Sequence, residues 1–127
     1  MSAGGSLQAA ILQALRALPD LGVYDAPPTR AAYPYATVDC GSEWDWSHNT
    51  ADGREVGVAV TLWDDEPPRL EQVADPVLRQ VSLVKDVPGW LLVNLRFTRK
   101  RIIRDPTGPW AMALDFRAPL LSTIEGD

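Results

Sequence analysis

The chain has 127 residues, 46% hydrophobic and 23% charged, a balance that suits one folded domain and excludes collagen, coiled coil and intrinsic disorder. Its 17 acids against 12 bases give a net charge of −5, which argues against general nucleic-acid binding, because phosphate contact needs an attractive field of Lys and Arg. A single cysteine, Cys40, excludes an internal disulfide and thiolate-rich zinc sites, and no apolar run reaches the ~20 residues that cross a bilayer. No cationic stretch precedes an apolar one near Met1, so no signal peptide is expected and assembly in the cytoplasm is.

Ser6 is the predicted cap of a first helix running to about Leu18, with Leu7, Ile11, Leu15 and Leu18 on one stripe. Pro19 and Gly22 stop it, and Asp25 to Arg30, with Pro27 and Pro28 adjacent, reads as a loop. Tyr35 to about Cys40 is a predicted short strand, and Asp52-Gly53 is a turn pair between two strand-like runs. Arg54 to Trp63 then alternates strictly, with Val56, Val58, Val60 and Leu62 on one face and Glu55, Gly57, Ala59 and Thr61 on the other. Small residues on that second face would let another layer approach closely, although a solvated face tolerates them equally.

Asp64-Asp65-Glu66 ahead of Pro67-Pro68 marks a helix start, where acids and proline both suit the positive end of the helix dipole. Leu70, Val73, Ala74, Val77, Leu78, Val81 and Val84 keep helical spacing across Pro76, either as one kinked helix or as a turn followed by a new helix capped by Asp75. Val87-Pro88-Gly89 ends it. Trp90 to about Arg104 is strand-like, with Leu91, Val93, Leu95 and Phe97 expected inward. Asp105 to Pro109 turns the chain, and Trp110 to Arg117 returns with Met112, Leu114 and Phe116 on one side and Asp115 and Arg117 on the other. This order predicts an α+β fold: a mainly antiparallel four-stranded sheet with two helices packed on one face. Alternation past Phe97 would put Arg99 and Arg101 on the core side, at prohibitive cost if unpartnered. Either a bulge near Arg99 shifts the phase, or the C-terminal hairpin projects beyond the sheet.

The lone histidine, His48, lies beside Ser47 and near Asp45. A catalytic triad places its nucleophile and its acid on opposite sides of the imidazole, normally from distant segments, so a solvated loop histidine is expected and a small hydrolase using His48 stands as the enzymatic alternative. Asp64-Asp65-Glu66 lacks the alternating ligands and glycine of a calcium loop, one His and one Cys are too few for a soft-metal site, and no Gly-rich phosphate loop follows a strand. Cys40 reads as a small buried residue. No catalytic, cofactor or metal residue is therefore assigned. Arg96, Arg99, Lys100, Arg101 and Arg104 place five of the 12 bases within nine positions. They read either as a solvated strand edge guarded against aggregation or as an interface with an acidic surface, with nucleic acid third. Trp44, Trp46, Trp63, Trp90 and Trp110 read as core and sheet-edge packing, though Trp is also enriched at interfaces.

Several stretches together resemble the tail-completion or tail-terminator family of long-tailed bacteriophages, including the versions in gene transfer agents. They are the opening helix Leu7 to Leu18; Val23-Tyr24-Asp25-Ala26-Pro27-Pro28 followed by Tyr33-Pro34-Tyr35-Ala36; the strand Val56 to Trp63; the helix Leu70 to Val84; and the closing pair from Gly89-Trp90 to Phe116-Arg117. Thr98 to Arg104, then Trp110, looks most like the gene-transfer-agent members. The resemblance implies structural work without an enzyme's site: a homo-oligomeric six-fold ring on the last ring of the tail tube, which stops tube growth and offers a surface to the head-side connector. The implied partners are other copies, the tail tube protein and the connector or stopper protein, with packaged DNA passing through the ring and no membrane. A connector (stopper or adaptor) ring is the alternative within this class. Ring closure needs one patch of each subunit to meet a different patch of the next. The basic run Arg96 to Arg104 and the acidic run Asp64, Asp65 and Glu66 are the candidate complementary patches.

Overall fold

In the computed structural model, residues 2–106 and 108–123 are described. They pass through α1 (Ala3–Leu15), β1 (Gly22–Tyr24), β2 (Tyr35–Asp45), β3 (Gly53–Asp64), α2 (Pro67–Ser82), β4 (Asp86–Val87), β5 (Trp90–Leu92), β6 (Arg96–Arg104) and β7 (Trp110–Ser122). β3 and β7 pair antiparallel from Gly53 opposite Leu121 to Asp64 opposite Trp110. β2 lies antiparallel on the other side of β3, and β1 is added outside β2 in parallel. On the far side of β7, β6 pairs with Trp110–Arg117 and β5 with Leu120–Ser122, so the two strands follow one another along one edge, and β4 pairs with β5.

The fold is therefore α+β with two helices, but the sheet is a curled, mixed one of seven strands and not a four-stranded antiparallel one. The difference comes from β1, β4 and β5, whose two or three residues are too few to show any alternation. The loop after β1 brings the chain back alongside it, so that Gly22–Tyr24 pair in parallel with Tyr35–Thr37 at the start of β2.

Both helices bury their apolar stripes against one sheet face. Leu7, Ile11 and Leu15 of α1 and Leu70, Ala74, Val77 and Val81 of α2 meet Val56, Val58, Val60 and Leu62 of β3 and Met112, Leu114 and Leu120 of β7 in one cluster. Each large side chain fully buried there contributes about 1.5–3 kcal/mol by leaving water. The first helix starts earlier than Ser6: Ser2 caps it, its hydroxyl accepting from Gly5 N–H at 2.9 Å, while Ser6 is buried within the helix. Gly4 is the reason a glycine pair belongs inside this helix, because a Cβ there would strike the carbonyl oxygen of Cys40 on β2. At the same contact Gly4 N–H donates to the Glu43 carboxylate, and Cys40 N–H donates to Gln8 Oε1 at 3.1 Å. α2 continues through Pro76 as one helix, and Gln80 Nε2 donates to Ala14 O at 2.8 Å, tying it to α1.

The strand expected from Trp90 to Arg104 is interrupted at 93–95, and the interruption changes its phase. Leu92 lies opposite the fully buried Leu120, whereas Leu91 and Val93, expected inward, are 56% and 46% exposed. Leu95 packs against the core, whereas Phe97, also expected inward, is exposed, its ring 5.6 Å from that of Phe116. A register shift between Phe97 and Arg99 then carries Arg99 and Arg101 to the face away from the helices. The bulge, not a projecting hairpin, resolves the arginine conflict: β3 accompanies β7 as far as Trp110, so β7 does not leave the sheet. Val87 and Trp90 are joined by Pro88-Gly89, a turn whose second position needs positive φ, and Gly89 supplies it at +85°. Among the described residues no helix is long and apolar enough to cross a membrane.

Candidate interface on the open sheet face

Away from the helices the ladder sets Asp39, Ala59, Asp115 and Arg99 in one row across β2, β3, β7 and β6. Thr37, Thr61, Ala113 and Arg101 form the next row, and Ser42, Gly57 and Arg117 flank the first on its other side. Gly57 and Ala59 leave a shallow floor, and a groove of about 530 Å³ lies over it, lined also by Asp39 and Trp44 towards β2 and by Arg99 and Arg117 towards β6.

Asp115 organises the basic side. Its carboxylate accepts from Arg101 Nε at 2.8 Å and Nη2 at 3.1 Å and from Arg99 Nε at 2.8 Å. The Arg101 hydrogen bonds, assisted by Arg99 and opposed by burial, hold this carboxyl below the usual carboxylate range. Two guanidiniums share that one carboxylate, so the cluster keeps an excess positive charge. Arg117 donates to Glu55 at 3.0 Å and lies 3.9 Å over the Trp44 ring. Arg96 stands opposite Arg117 in the ladder. The remaining two cations of β6 turn towards the helix side: Lys100 reaches Glu71 of α2 at 3.3 Å, and Arg104 lies 5.0 Å over Trp110. The five basic residues singled out from sequence are thus split three and two between the sheet faces.

The acidic run is divided between a buried residue and two exposed ones. Asp64 is fully buried; it accepts from Arg69 Nε and Nη2 and, at 3.1 Å, from Glu66 N–H. Burial works to raise its pKa, but the Arg69 hydrogen bonds and the Glu66 N–H outweigh it, and the net shift is downward. Arg69 is pushed up in turn, chiefly by its bond to Asp64. Asp65 and Glu66 are exposed and lie 3.6 and 3.7 Å from the same guanidinium. Asp64 is therefore a clamp at the start of α2 and has no surface to offer a neighbouring copy. Asp39 and Asp115 are the acids that sequence reasoning did not single out; the signal for Asp115 was its place opposite Arg99 once a bulge is allowed.

Around His48 the residues of the enzymatic alternative do not form a relay through the imidazole. Ser47 Oγ donates to Asp45 Oδ1 at 2.7 Å and accepts from Gly53 N–H at 3.1 Å, while the His48 ring rests edge-on against Trp46 at 4.5 Å. Asp45 is held low first by that Ser47 hydroxyl. The Cys40 thiol is pushed up to about 12 by burial and, secondarily, by Asp39 and Glu43, the opposite of what a nucleophile needs. Among the described residues no group of three or more His, Cys, Asp or Glu side chains could hold a metal ion.

Over residues 7–120 the sequence matches the family described as Tail completion protein gp17. The chain belongs to that family. The family expected from the layout is thus the one found, and this tail completion protein is a structural protein of a phage-type tail. The matched span takes in most of α1, all of α2 and β6, and most of β7. A chain of the solved structure "Virion of native gene transfer agent (GTA) particle" is 26% identical to it, with a TM-score of 0.84 and coverage of 95% of this chain and 98% of that one. No curated protein sequence matches.

Proposed function

We propose that this tail completion protein is a tail terminator: residues 1–127 act as one domain, copies close into a six-fold ring on the last ring of the tail tube, and that ring stops polymerisation. It sits at the head-proximal end of the tail, where its other face receives the head-side connector and packaged DNA passes through its centre. The observation that carries this reading is the likeness, over nearly the whole of both chains, to a chain of a gene transfer agent virion, joined to membership of the tail completion family. The open sheet face supports it, because its half-buried floor and basic rim β6 suit a contact with other protein surfaces.

The test is polymerisation of purified tail tube protein with and without this chain. Tubes that stay short, with the chain at one end, are expected. Tubes of unchanged length distribution, with the chain unbound or bound along their sides, would contradict termination.

A further inference from the structure

Charge is divided between the two sides of the sheet. β6 holds five cations and no acid, which leaves seven bases against 17 acids, a charge of −10, for the rest of the chain. On the opposite side, β2 carries Asp39, Glu43 and Asp45, all exposed, and no base. β1 covers only Tyr35 to Thr37 of β2, so these acids lie along an uncovered edge, Asp39 on the open face and Glu43 on the helix side beside Gly4 of α1. Each rim is only partly compensated within the subunit. On β2, Asp45 pairs with Arg54 at 3.5 Å in an exposed pair and Glu43 accepts from Gly4 N–H; on β6, Arg99 and Arg101 share Asp115 and Lys100 pairs with Glu71.

Two other surfaces fit a second copy less well. The acidic run at the start of α2 already surrounds Arg69, with Asp64 buried beneath it. The apolar groove of about 200 Å³ between Pro67, Leu70 and Ile102 carries no charge difference that would select a partner, and the Lys100–Glu71 pair lies beside it.

We propose that β6 of one copy docks on the β2 rim of the next, a head-to-tail contact between opposite edges of the same sheet. This deepens the ring reading above and rests on it. Pairing β6 with β6, or β2 with β2, sets like charges together, so the alternatives to head-to-tail are repelled while the heterologous contact is attractive. Each copy uses each rim once, which is the arrangement that closes into a ring when the rotation between copies divides a full turn. The contact is made by side chains: on β2 the N–H of Cys40 is bound by Gln8 and that of Gly41 by Asp39, so those positions cannot extend the ladder.

Four forms of the full chain test this in sedimentation velocity and native mass spectrometry: wild type, Arg96→Glu with Arg104→Glu, Asp39→Lys with Asp45→Lys, and all four changes together. The wild type is expected to self-associate, and to do so less at about 0.5 M salt than at about 0.05 M, because a rim contact is screened. Each two-site reversal should weaken association about tenfold or more, and the four-site form should recover most of it, since both rims have exchanged sign. Thermal unfolding of each form checks that it is folded; if the β2 pair does not fold, the Arg96/Arg104 pair and the salt dependence decide. Two-site variants that assemble like the wild type overturn this contact, as does a folded four-site form no better than its parents. A wild type that is monomeric at every salt concentration also overturns it, whereas termination itself is judged separately by tube length.

Discussion

Asp64→Asn isolates the clamp at the start of α2. The asparagine keeps the shape and one acceptor, so the bond from Glu66 N–H can persist, but the charge that Arg69 grips through two nitrogens is gone. Losing one partner of a buried ion pair costs about 3–5 kcal/mol. Here the Arg69 side chain is 38% exposed and still has Asp65 and Glu66 within 4 Å, so hydration and those carboxylates recover part of it, leaving about 2–3 kcal/mol. At about 2.1 cal/mol/K of unfolding entropy per residue, that loss lowers Tm by roughly 7–11 °C for a chain of this length. Differential scanning calorimetry of Asp64→Asn, Arg69→Met and the double variant measures it, with a coupling of about 2 kcal/mol expected between the two sites. Tm within about 2 °C of wild type, or coupling near zero, would refute the reasoning. Because Asp64 is buried and lies outside the contact proposed above, self-association of the folded variant should match wild type at equal concentration.

Acid should destabilise the chain through the same groups. Asp64 and Asp115 have folded pKa values below the unfolded value of about 4, so their contribution is complete above that pH and is lost as pH falls through the folded values. Urea midpoints between about pH 6 and 3 should decline less steeply in an Asp64→Asn/Asp115→Asn variant, and equal slopes would count against the ion pairs. Cys40, buried with its thiol pushed up to about 12, should resist Ellman's reagent at about pH 8 until the chain is unfolded; rapid native labelling would show that the α1–β2 contact opens. Gly4→Ala, which favours an ordinary helix by about 1 kcal/mol, should here lower Tm because the new methyl meets the Cys40 carbonyl, and a raised Tm would show that α1 can shift.

β3 was legible almost to the residue, because it is buried on one face and half-buried on the other, and period-two alternation records that difference directly. α2 was legible for the same reason, its stripe of Leu70, Ala74, Val77 and Val81 outweighing the local cost of Pro76. The errors fall where tertiary contact overrides local preference. Ser6 is as good a cap as Ser2, and only the close approach of Gly4 to β2 explains why the helix begins three residues before Ser6. In β5 and β6 two phase changes within ten residues break the alternation, so a strict period of two misplaces Leu91 and Val93. The basic rim could be read as a run of charge, but the acidic rim proposed above as its counterpart could not. Asp64, Asp65 and Glu66 are adjacent in sequence and attract notice, whereas Asp39, Glu43 and Asp45 are spaced along a strand whose far edge only the sheet order reveals.

Electron microscopy of particles from a producer strain that lacks this gene bears most directly on termination. Tail tubes of uncontrolled length without heads are the result expected of a missing terminator. Tails of normal length that fail to join heads would contradict it and assign the ring to the head-side connector instead, and intact, infective or transducing particles would contradict both.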